Sequence, residues 1–188
     1  IESLEQEGVT THGLAIIEDR TTTVKTRMLA SRESLIREEQ LLLRWDIEDD
    51  NPVPEEASHA LYDQAVDDLK GAAALIASDY GQGVLTDQGA EQLFSEARKL
   101  GIPVIADPKL TGLHRTEGVD WILFQSHGLE LMRRRLAAST GAEAAEKLIH
   151  QYGWKHLVVL SGEAGVTIYS HDTETVHAPC SLLDLRQM

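Results

Sequence analysis

The sequence predicts an α/β protein: a doubly wound, mostly parallel sheet with helices on both faces, preceded by an N-terminal β-hairpin. Three observations support this class. The middle of the chain alternates short apolar segments with amphipathic helical segments, which is typical of a parallel sheet covered by helices. Residues 21–30, near the N-terminus, are instead rich in β-branched residues. The composition, with 42% hydrophobic and 26% charged residues in a chain of 188, is that of one ordinary globular domain.

The N-terminal region is predicted to consist of strands. Residues 14–17 are apolar, residues 21–30 contain four threonines, and the turn-forming residues 18–20 between them predict a hairpin. Residues 40–46 are expected to form a third strand. The acidic residues 46–56 include two prolines and show no helical period, so we expect a solvated connector that ends at the start of a helix.

The remainder of the chain alternates between strand and helix patterns. Strands are predicted at residues 72–77, 102–106, 121–124 and 156–160, with a closing hairpin at 166–169 and 175–177. Helices are predicted at residues 54–70, 87–100, 128–138 and 142–152. Asp87 is expected to cap the second of these helices and Gly101 to end it. The three tryptophans, Trp45, Trp121 and Trp154, are expected to be buried or half-buried.

Charge and cysteine content exclude several classes of protein. The chain has 17 basic and 31 acidic residues, a net charge of −14, which argues against nucleic-acid binding. No apolar run approaches the roughly 18 residues that a membrane span requires. The single cysteine excludes an internal disulfide framework and fits a reducing, cytoplasmic location. The spacing of the eight histidines does not indicate a metal site.

Polar and glycine residues follow each predicted parallel strand. Asp79 with Gly81 and Gly83 follows the first strand, and Asp107 and Lys109 follow the second. Because the carboxyl ends of parallel strands share one edge of a sheet, these side chains are expected to meet there. A lysine at such an edge suits a phosphate group. Taken on their own, these residues also fit ordinary tight turns, so both interpretations stand at this point.

Two of these segments resemble a known family. Residues 78–85 (SDYGQGVL) and 101–109 (GIPVIADPK), together with residues 22–27 (TTVKTR) and 43–46 (LRWD), are similar to the ribokinase/PfkB carbohydrate kinases. Within that family they most resemble the heptose 7-phosphate kinase domains of bifunctional ADP-heptose synthases. The resemblance implies one ribokinase-like domain over residues 1–188, incomplete at both ends relative to the family. Residues 1–46 would form lid-like strands and residues 47–188 the α/β core.

The resemblance also implies an activity and a set of ligands. Such kinases transfer the γ-phosphoryl group of ATP, with Mg²⁺, to a sugar hydroxyl, and the heptose members serve lipopolysaccharide synthesis. The implied partners are a sugar phosphate and a nucleotide, with a homodimer formed through the lid-like segment or another protein partner. The implied substrate-binding residues are Arg27, Asp79, Asp107 and Lys109. The implied cofactor-binding residues are Ser126, Glu130, Gly162, Glu163 and Gly165.

The sequence departs from the family pattern at several positions. The family's Gly-Ala-Gly-Asp motif, which carries the catalytic base, does not follow Pro179, and Asp184 has no glycine-rich turn after it. No catalytic residue or metal ligand is therefore assigned. Gln82 replaces a lysine of the heptose kinases. A further set of substitutions affects the nucleotide side of the site: Ser126 for asparagine, Leu129 in register for glutamate with Glu130 one residue later, and Leu160 for threonine.

Two functional hypotheses follow from this mixture of retained and altered residues. The first is an ATP-dependent carbohydrate kinase of the heptose 7-phosphate type, or a fragment of one, and Asp79, Asp107, Lys109 and Gly162 favour it. The second is a non-catalytic, kinase-like scaffold or subunit that has lost its ATP site. The altered nucleotide side favours the second.

Overall fold

The computed structural model describes residues 1–31, 39–49, 51 and 53–180, which form two sheets and five α-helices. The strands are β1 Val24–Ser31, β2 Glu39–Ile47, β3 Leu75–Asp79, β4 Val104–Pro108, β5 Trp121–Gln125, β6 His156–Leu160, β7 Val166–Ser170 and β8 Val176–Ala178. The helices are α1 Glu2–Gln6, α2 Glu55–Asp68, α3 Asp87–Leu100, α4 Ser126–Arg135 and α5 Gly141–Tyr152, with 3₁₀ turns at Leu110–Thr116 and Gly162–Ala164. None of these helices is long and apolar enough to cross a membrane.

The N-terminal hairpin joins different strands from those predicted. β1 pairs antiparallel with β2, with Val24 opposite Ile47. Residues 14–17 form no strand, so the predicted pairing of that segment with residues 21–30 is wrong. The cause lies in the hydrogen bonds of the intervening turn. The Thr21 amide donates to Asp49 Oδ2 at 3.0 Å, and Arg20 donates to the carbonyl of Asn51. These bonds tie the turn to the chain that follows β2.

The third strand predicted at residues 40–46 is confirmed as β2, which extends through Ile47, so the predicted connector begins two residues too early. Asp46 lies in β2, where its carboxylate accepts hydrogen bonds from Arg44 and Lys25. The two contacts lower the pKa of Asp46 to about 2, and the hydrogen bond from Arg44 has the larger effect. β2 continues to Ile47. The division into a lid-like segment at 1–46 and an α/β core at 47–188 stays a prediction. Trp45 is 60% exposed on this hairpin, so its predicted burial is wrong.

The larger sheet has the order β3-β4-β5-β6-β7-β8. β3 to β6 are parallel, and β7 and β8 continue the sheet antiparallel. The predicted α/β class, the mostly parallel sheet and the closing hairpin are confirmed. The presence of an N-terminal hairpin is also confirmed, although β1 and β2 form it in place of the predicted pair. β3 and β4 lie two or three residues later than predicted, because their pairing continues through Ser78 opposite Asp107 and Asp79 opposite Pro108. The polar residues at the strand ends therefore belong to the ladder itself.

The core lies on one side of the larger sheet. Ile122 and Leu157 are fully buried, whereas their strand neighbours Trp121 and Leu123 are only partly buried. Helix α3 contacts β4, α4 contacts β5 and β6, and α5 contacts β6 and β7. Trp154 is part of this core, with its side chain 1% exposed. Its indole N–H donates to the Thr116 carbonyl at 2.8 Å, so the buried polar atom of Trp154 has a hydrogen-bond partner.

Helix α3 is capped by Thr86, and not by Asp87 as predicted. The Thr86 hydroxyl accepts a hydrogen bond from the Gly89 amide at 3.0 Å, while Asp87 is the first helical residue. The hydroxyl takes the capping position because the Asp87 carboxylate bonds Arg115 instead. The predicted end at Gly101 is confirmed, with φ of 71°.

Helix α2 packs on α3 through one tyrosine. The ring of Tyr62 lies against Gly89, where a Cβ atom would come within 2.0 Å of Cζ. The Tyr62 hydroxyl donates to the Val84 carbonyl at 2.5 Å and accepts from the Thr86 amide at 2.9 Å. This ring therefore fixes α2 to the loop that follows β3.

Candidate active site

A cavity of about 240 Å³ lies at the carboxyl ends of β3, β4 and β5. This is the edge at which ligands bind in open α/β sheets. The parallel pairing of β3 with β4 brings the ends of the two strands together, as predicted from the sequence. The polar and aromatic residues that line the cavity are Asp79, Tyr80, Asp107, Lys109, Phe124, Gln125 and His127.

Asp79 is the buried carboxylate of this cavity. Its side chain is 5% exposed, and both of its oxygens are occupied. Oδ1 accepts a hydrogen bond from the Gly81 amide at 2.8 Å, and Oδ2 accepts from Arg115 Nη1 at 3.0 Å. Its carbonyl also accepts from the Lys109 amide at 3.1 Å. Asp79 thus joins the end of β3 to the glycine turn and to the segment after β4.

Lys109 places an ammonium group in the cavity. Its Nζ lies 5.3 Å from the centroid of the Tyr80 ring, within the range of a cation–π contact. Asp107, two residues earlier, is exposed on the same edge. The ammonium of Lys109 can bind a phosphate group while the two carboxylates of the cavity accept hydrogen bonds from sugar hydroxyls.

An arginine that the sequence analysis missed holds Asp79 from behind. Arg115, in the 3₁₀ turn after β4, bonds Asp79 through Nη1 and bonds Asp87 Oδ1 through Nε at 2.6 Å. His114 Nε2 lies 3.0 Å from the same Asp87 oxygen. The hydrogen bond from Arg115, and then the contact with His114, lowers the pKa of the Asp87 carboxyl. No sequence signal marked Arg115, because it lies six residues from Lys109 inside a segment without a periodic pattern.

The glycine turn after β3 is tied to the N-terminal hairpin. The backbone carbonyl of Gln82 accepts a hydrogen bond from Arg20 at 2.9 Å. The side-chain amide of Gln82 donates to Glu48 Oε2 at 3.0 Å. The other Glu48 oxygen accepts from Lys25 Nζ at 2.6 Å. Gln82, which stands where the heptose kinases carry a lysine, therefore contacts a carboxylate of the hairpin.

The residues predicted to bind the cofactor leave the sheet beside this cavity. β5 pairs with β6 so that Gln125 lies opposite Leu160, and the next residues of each strand begin α4 and the Gly162–Ala164 turn. Gly162 has φ of 56° and open space around its Cα atom, whereas a Cβ atom at Gly165 would come within 2.2 Å of the Ala178 carbonyl oxygen. Gly165 is therefore required by the close approach of the backbone at the end of β8.

Glu130 is committed to two arginines of its own helix. Its carboxylate accepts from Arg133 Nε at 2.7 Å and from Arg134 Nε at 2.8 Å, and these contacts lower its pKa to about 2. Its charge is thus already balanced, so it does not fit a Mg²⁺ ligand in this arrangement. Over the described part of the chain, no group of three or more His, Cys, Asp or Glu residues is arranged to hold a metal.

The cavity brings together three of the predicted site residues: Asp79, Asp107 and Lys109. The other predicted site residues lie outside its lining. Arg27 lies on β1 opposite Arg44, on the exposed hairpin. The predicted cofactor residues outside the lining are Ser126, Glu130, Gly162, Glu163 and Gly165.

Comparison with known proteins identifies the family of this chain. The model of the pfkB family carbohydrate kinases matches residues 1–182. The chain belongs to this family. A bifunctional protein HldE of Gluconobacter oxydans is 32% identical over 173 residues, which is 90% of this chain and 34% of that protein. The HldE of Ectopseudomonas mendocina is 33% identical over 183 residues, or 95% of the chain and 35% of that protein.

The likeness to solved PfkB-family structures lies in the fold. The tetrameric inhibited form of phosphofructokinase-2 from Escherichia coli superimposes with a TM-score of 0.60 at 17% identity, covering 94% of this chain and 56% of that chain. The predicted ribokinase-like fold is therefore confirmed. The chain spans about a third of the length of the curated relatives that it matches.

Proposed function

We propose that this PfkB-family chain forms the sugar-binding edge of an ATP-dependent carbohydrate kinase of the heptose 7-phosphate type that acts in the cytoplasm. The observation that carries the proposal is the cavity at the ends of β3 and β4, which Lys109, Asp79 and Asp107 line together. The HldE relatives support the choice of a heptose substrate. The reaction would transfer a phosphoryl group to a sugar hydroxyl.

Each cavity residue has a role that its surroundings favour. Lys109, whose ammonium faces the Tyr80 ring, would contact the phosphate of the sugar. Asp79 is held on both oxygens and would orient the sugar and the glycine turn. Asp107 is exposed and free to accept from a sugar hydroxyl. The division into a lid-like segment at 1–46 and a core at 47–188 belongs to the same proposal, with Arg27 reaching the substrate from the lid-like segment.

Mg-ATP would bind on the neighbouring side, at the Gly162–Ala164 turn and the start of α4. The open space at Gly162 fits a nucleotide, and Ser126 begins a helix whose first amides can contact phosphate. ATP supplies the phosphoryl group when bound. Glu163, exposed in this turn, would contact the nucleotide, and Gly165 would keep the turn in shape.

The test is binding and turnover by the native polypeptide that carries this sequence. Lys109→Ala should weaken the binding of heptose 7-phosphate by about tenfold or more, because a charge-assisted contact is lost. Lys70→Ala is the matched control, since Lys70 pairs only with exposed Asp67 on α2. A native polypeptide that neither binds heptose 7-phosphate nor phosphorylates it would refute the proposal, and equal affinities of the two variants would refute the role of Lys109.

The second candidate function is a kinase-like scaffold or subunit without an ATP site. The ion pairs of Glu130 with Arg133 and Arg134 favour it, because they leave this carboxylate unfit as a Mg²⁺ ligand. Titration calorimetry with Mg-ATP separates the candidates. Binding of Mg-ATP supports the kinase, whereas sugar-phosphate binding without nucleotide binding supports the scaffold.

We further propose that the hairpin β1–β2 pairs with a second copy of the chain or covers another protein. Large apolar side chains of the hairpin are exposed: Met28 is 47%, Leu42 65% and Trp45 60% exposed. Exposed apolar side chains grouped in this way are typical of a surface that another protein covers. Sedimentation of the wild type and of Trp45→Ser tests the homodimer. A dimer that dissociates in the variant supports it, and a wild type that is monomeric at all concentrations refutes it.

A further inference from the structure

Asp79 is held by a compact contact of three residues behind the cavity. Arg115 Nη1 lies 3.0 Å from Asp79 Oδ2, and Gly112 passes close to both groups. A Cβ atom at Gly112 would lie 2.9 Å from Asp79 Oδ2 and 3.3 Å from Arg115 Nη1. A residue larger than glycine would therefore push the guanidinium and the carboxylate apart.

Arg115 does not itself reach the cavity. It lines two depressions on the other side of the loop, next to Asp87, and is not among the residues around the cavity of Asp79 and Lys109. Its Nε is occupied by Asp87, whose side chain is 71% exposed at the start of α3. The guanidinium thus connects α3 to the end of β3, with Asp79 as its only contact that also faces the cavity.

The energetics of burial explain why Asp79 needs such a partner. A carboxylate that is 5% exposed has lost most of its hydration, and the loss is offset only if charged or polar donors replace the water. The Gly81 amide supplies one donor to Oδ1, and Arg115 supplies the charged donor to Oδ2. Without Arg115, the carboxylate would turn toward solvent or toward Lys109, which lies in the same cavity.

We propose that Arg115 is a positioning residue for sugar-phosphate binding: it holds the Asp79 carboxylate away from Lys109, so that the ammonium of Lys109 stays available to a phosphate group. This inference rests on the proposed function of the cavity. Arg115 acts through Asp79 and contacts no ligand. Gly112 is part of the same device because it leaves room for the ion pair.

The experiment compares two variants, each of which removes the cationic partner of a carboxylate at one end of the larger sheet. Arg115→Gln removes the charged partner of Asp79. Lys155→Gln removes the partner of Asp120, a carboxylate that is 19% exposed and accepts from the Val104 amide at 2.8 Å, much as Asp79 accepts from Gly81. Both variants should lose thermal stability, Arg115→Gln more than Lys155→Gln, because the Lys155 side chain is 69% exposed and that of Arg115 only 24%. Only Arg115→Gln should bind heptose 7-phosphate more weakly, by about tenfold.

Two further variants distinguish positioning from a loss of folding. Arg115→Lys keeps the charge and should recover much of the lost affinity. Asp79→Asn combined with Arg115→Gln should bind no more weakly than Asp79→Asn alone, because both changes act on the same group. Wild-type affinity in Arg115→Gln, or an equal loss in Lys155→Gln, would overturn the inference. A wild type that does not bind heptose 7-phosphate would instead overturn the proposed function on which the inference rests.

Discussion

The contact between Tyr62 and Gly89 makes a sharp prediction about stability. In Gly89→Ala, the new Cβ would lie 2.0 Å from Tyr62 Cζ and 2.4 Å from Cε1 and Cε2, well inside the roughly 3.5 Å of a carbon–carbon contact. The ring is 4% exposed and its hydroxyl is bonded on both sides, so it cannot move away without losing those bonds. Overpacking costs about 1–3 kcal/mol. Alanine's better helix propensity returns roughly 0.5–1 kcal/mol. A 2.0 Å approach favours the upper part of the overpacking range, about 2–3 kcal/mol, so a net loss of about 1–2.5 kcal/mol is expected.

Gly128 provides the matched control in another helix. A Cβ atom there would meet Leu110 Cδ2 and Phe124 Cδ2 at 3.9 Å, an ordinary contact. Gly128→Ala is therefore expected to stabilise the protein by about 0.5–1 kcal/mol. Urea unfolding of both variants, with m-values compared, measures the two changes. The reasoning is refuted if Gly89→Ala is as stable as the wild type or if both substitutions change stability in the same direction.

A double-variant cycle identifies the tyrosine ring as the cause. In a Tyr62→Ala background the clash is absent, so Gly89→Ala should be neutral or slightly stabilising there. The coupling between the two positions is then expected to reach about 1–3 kcal/mol, as for other residues in direct contact. A coupling near zero would mean that the helix absorbs the new methyl group in another way.

Three further predictions concern charge, the core and a helix cap. Because Arg133 and then Arg134 lower the pKa of Glu130 to about 2, its ion pairs stabilise the fold above about pH 4 and are lost as the pH falls toward 2. The stability difference between wild type and Glu130→Gln should therefore shrink over that range in acid titrations of urea unfolding. Trp154→Phe removes the donor to Thr116 and should cost about 2–3 kcal/mol in the same assay, with little loss contradicting the bond. Thr140→Ala removes the cap of α5 and should cost about 1 kcal/mol, and Ser at this position should restore it.

The sequence predicts the fold well wherever the hydrophobic period is long. Helix α3 was predicted at its observed bounds because an apolar stripe along the helix ends at Gly101. Strand β6 was also predicted at its observed bounds, because a continuous apolar run ends at a glycine-containing turn. The N-terminal strands were harder to pair. Periodicity shows that residues 14–17, 21–30 and 40–46 are apolar or β-branched, but it does not show which two will pair. The contacts of Arg20 and Thr21 with the chain after β2 decide the pairing.

The candidate site was predicted in part for a similar reason. Asp79, Asp107 and Lys109 follow two neighbouring strands, and parallel pairing alone brings such residues to one edge. Arg115 could not be found in this way, because its contact with Asp79 depends on the path of a 3₁₀ turn and on the space at Gly112. The commitment of Glu130 to Arg133 and Arg134 depends on helical spacing, which the motif comparison did not consider.

The strand order of the larger sheet has a consequence for how the protein folds. Each strand from β3 to β7 pairs with the strand that follows it in the chain, so the sheet can grow by adding one strand at a time to the edge already formed. Among the strands that the structure describes, each pairing in this sheet joins strands that are neighbours in the sequence. The sheet can therefore assemble in the order in which the ribosome delivers its strands.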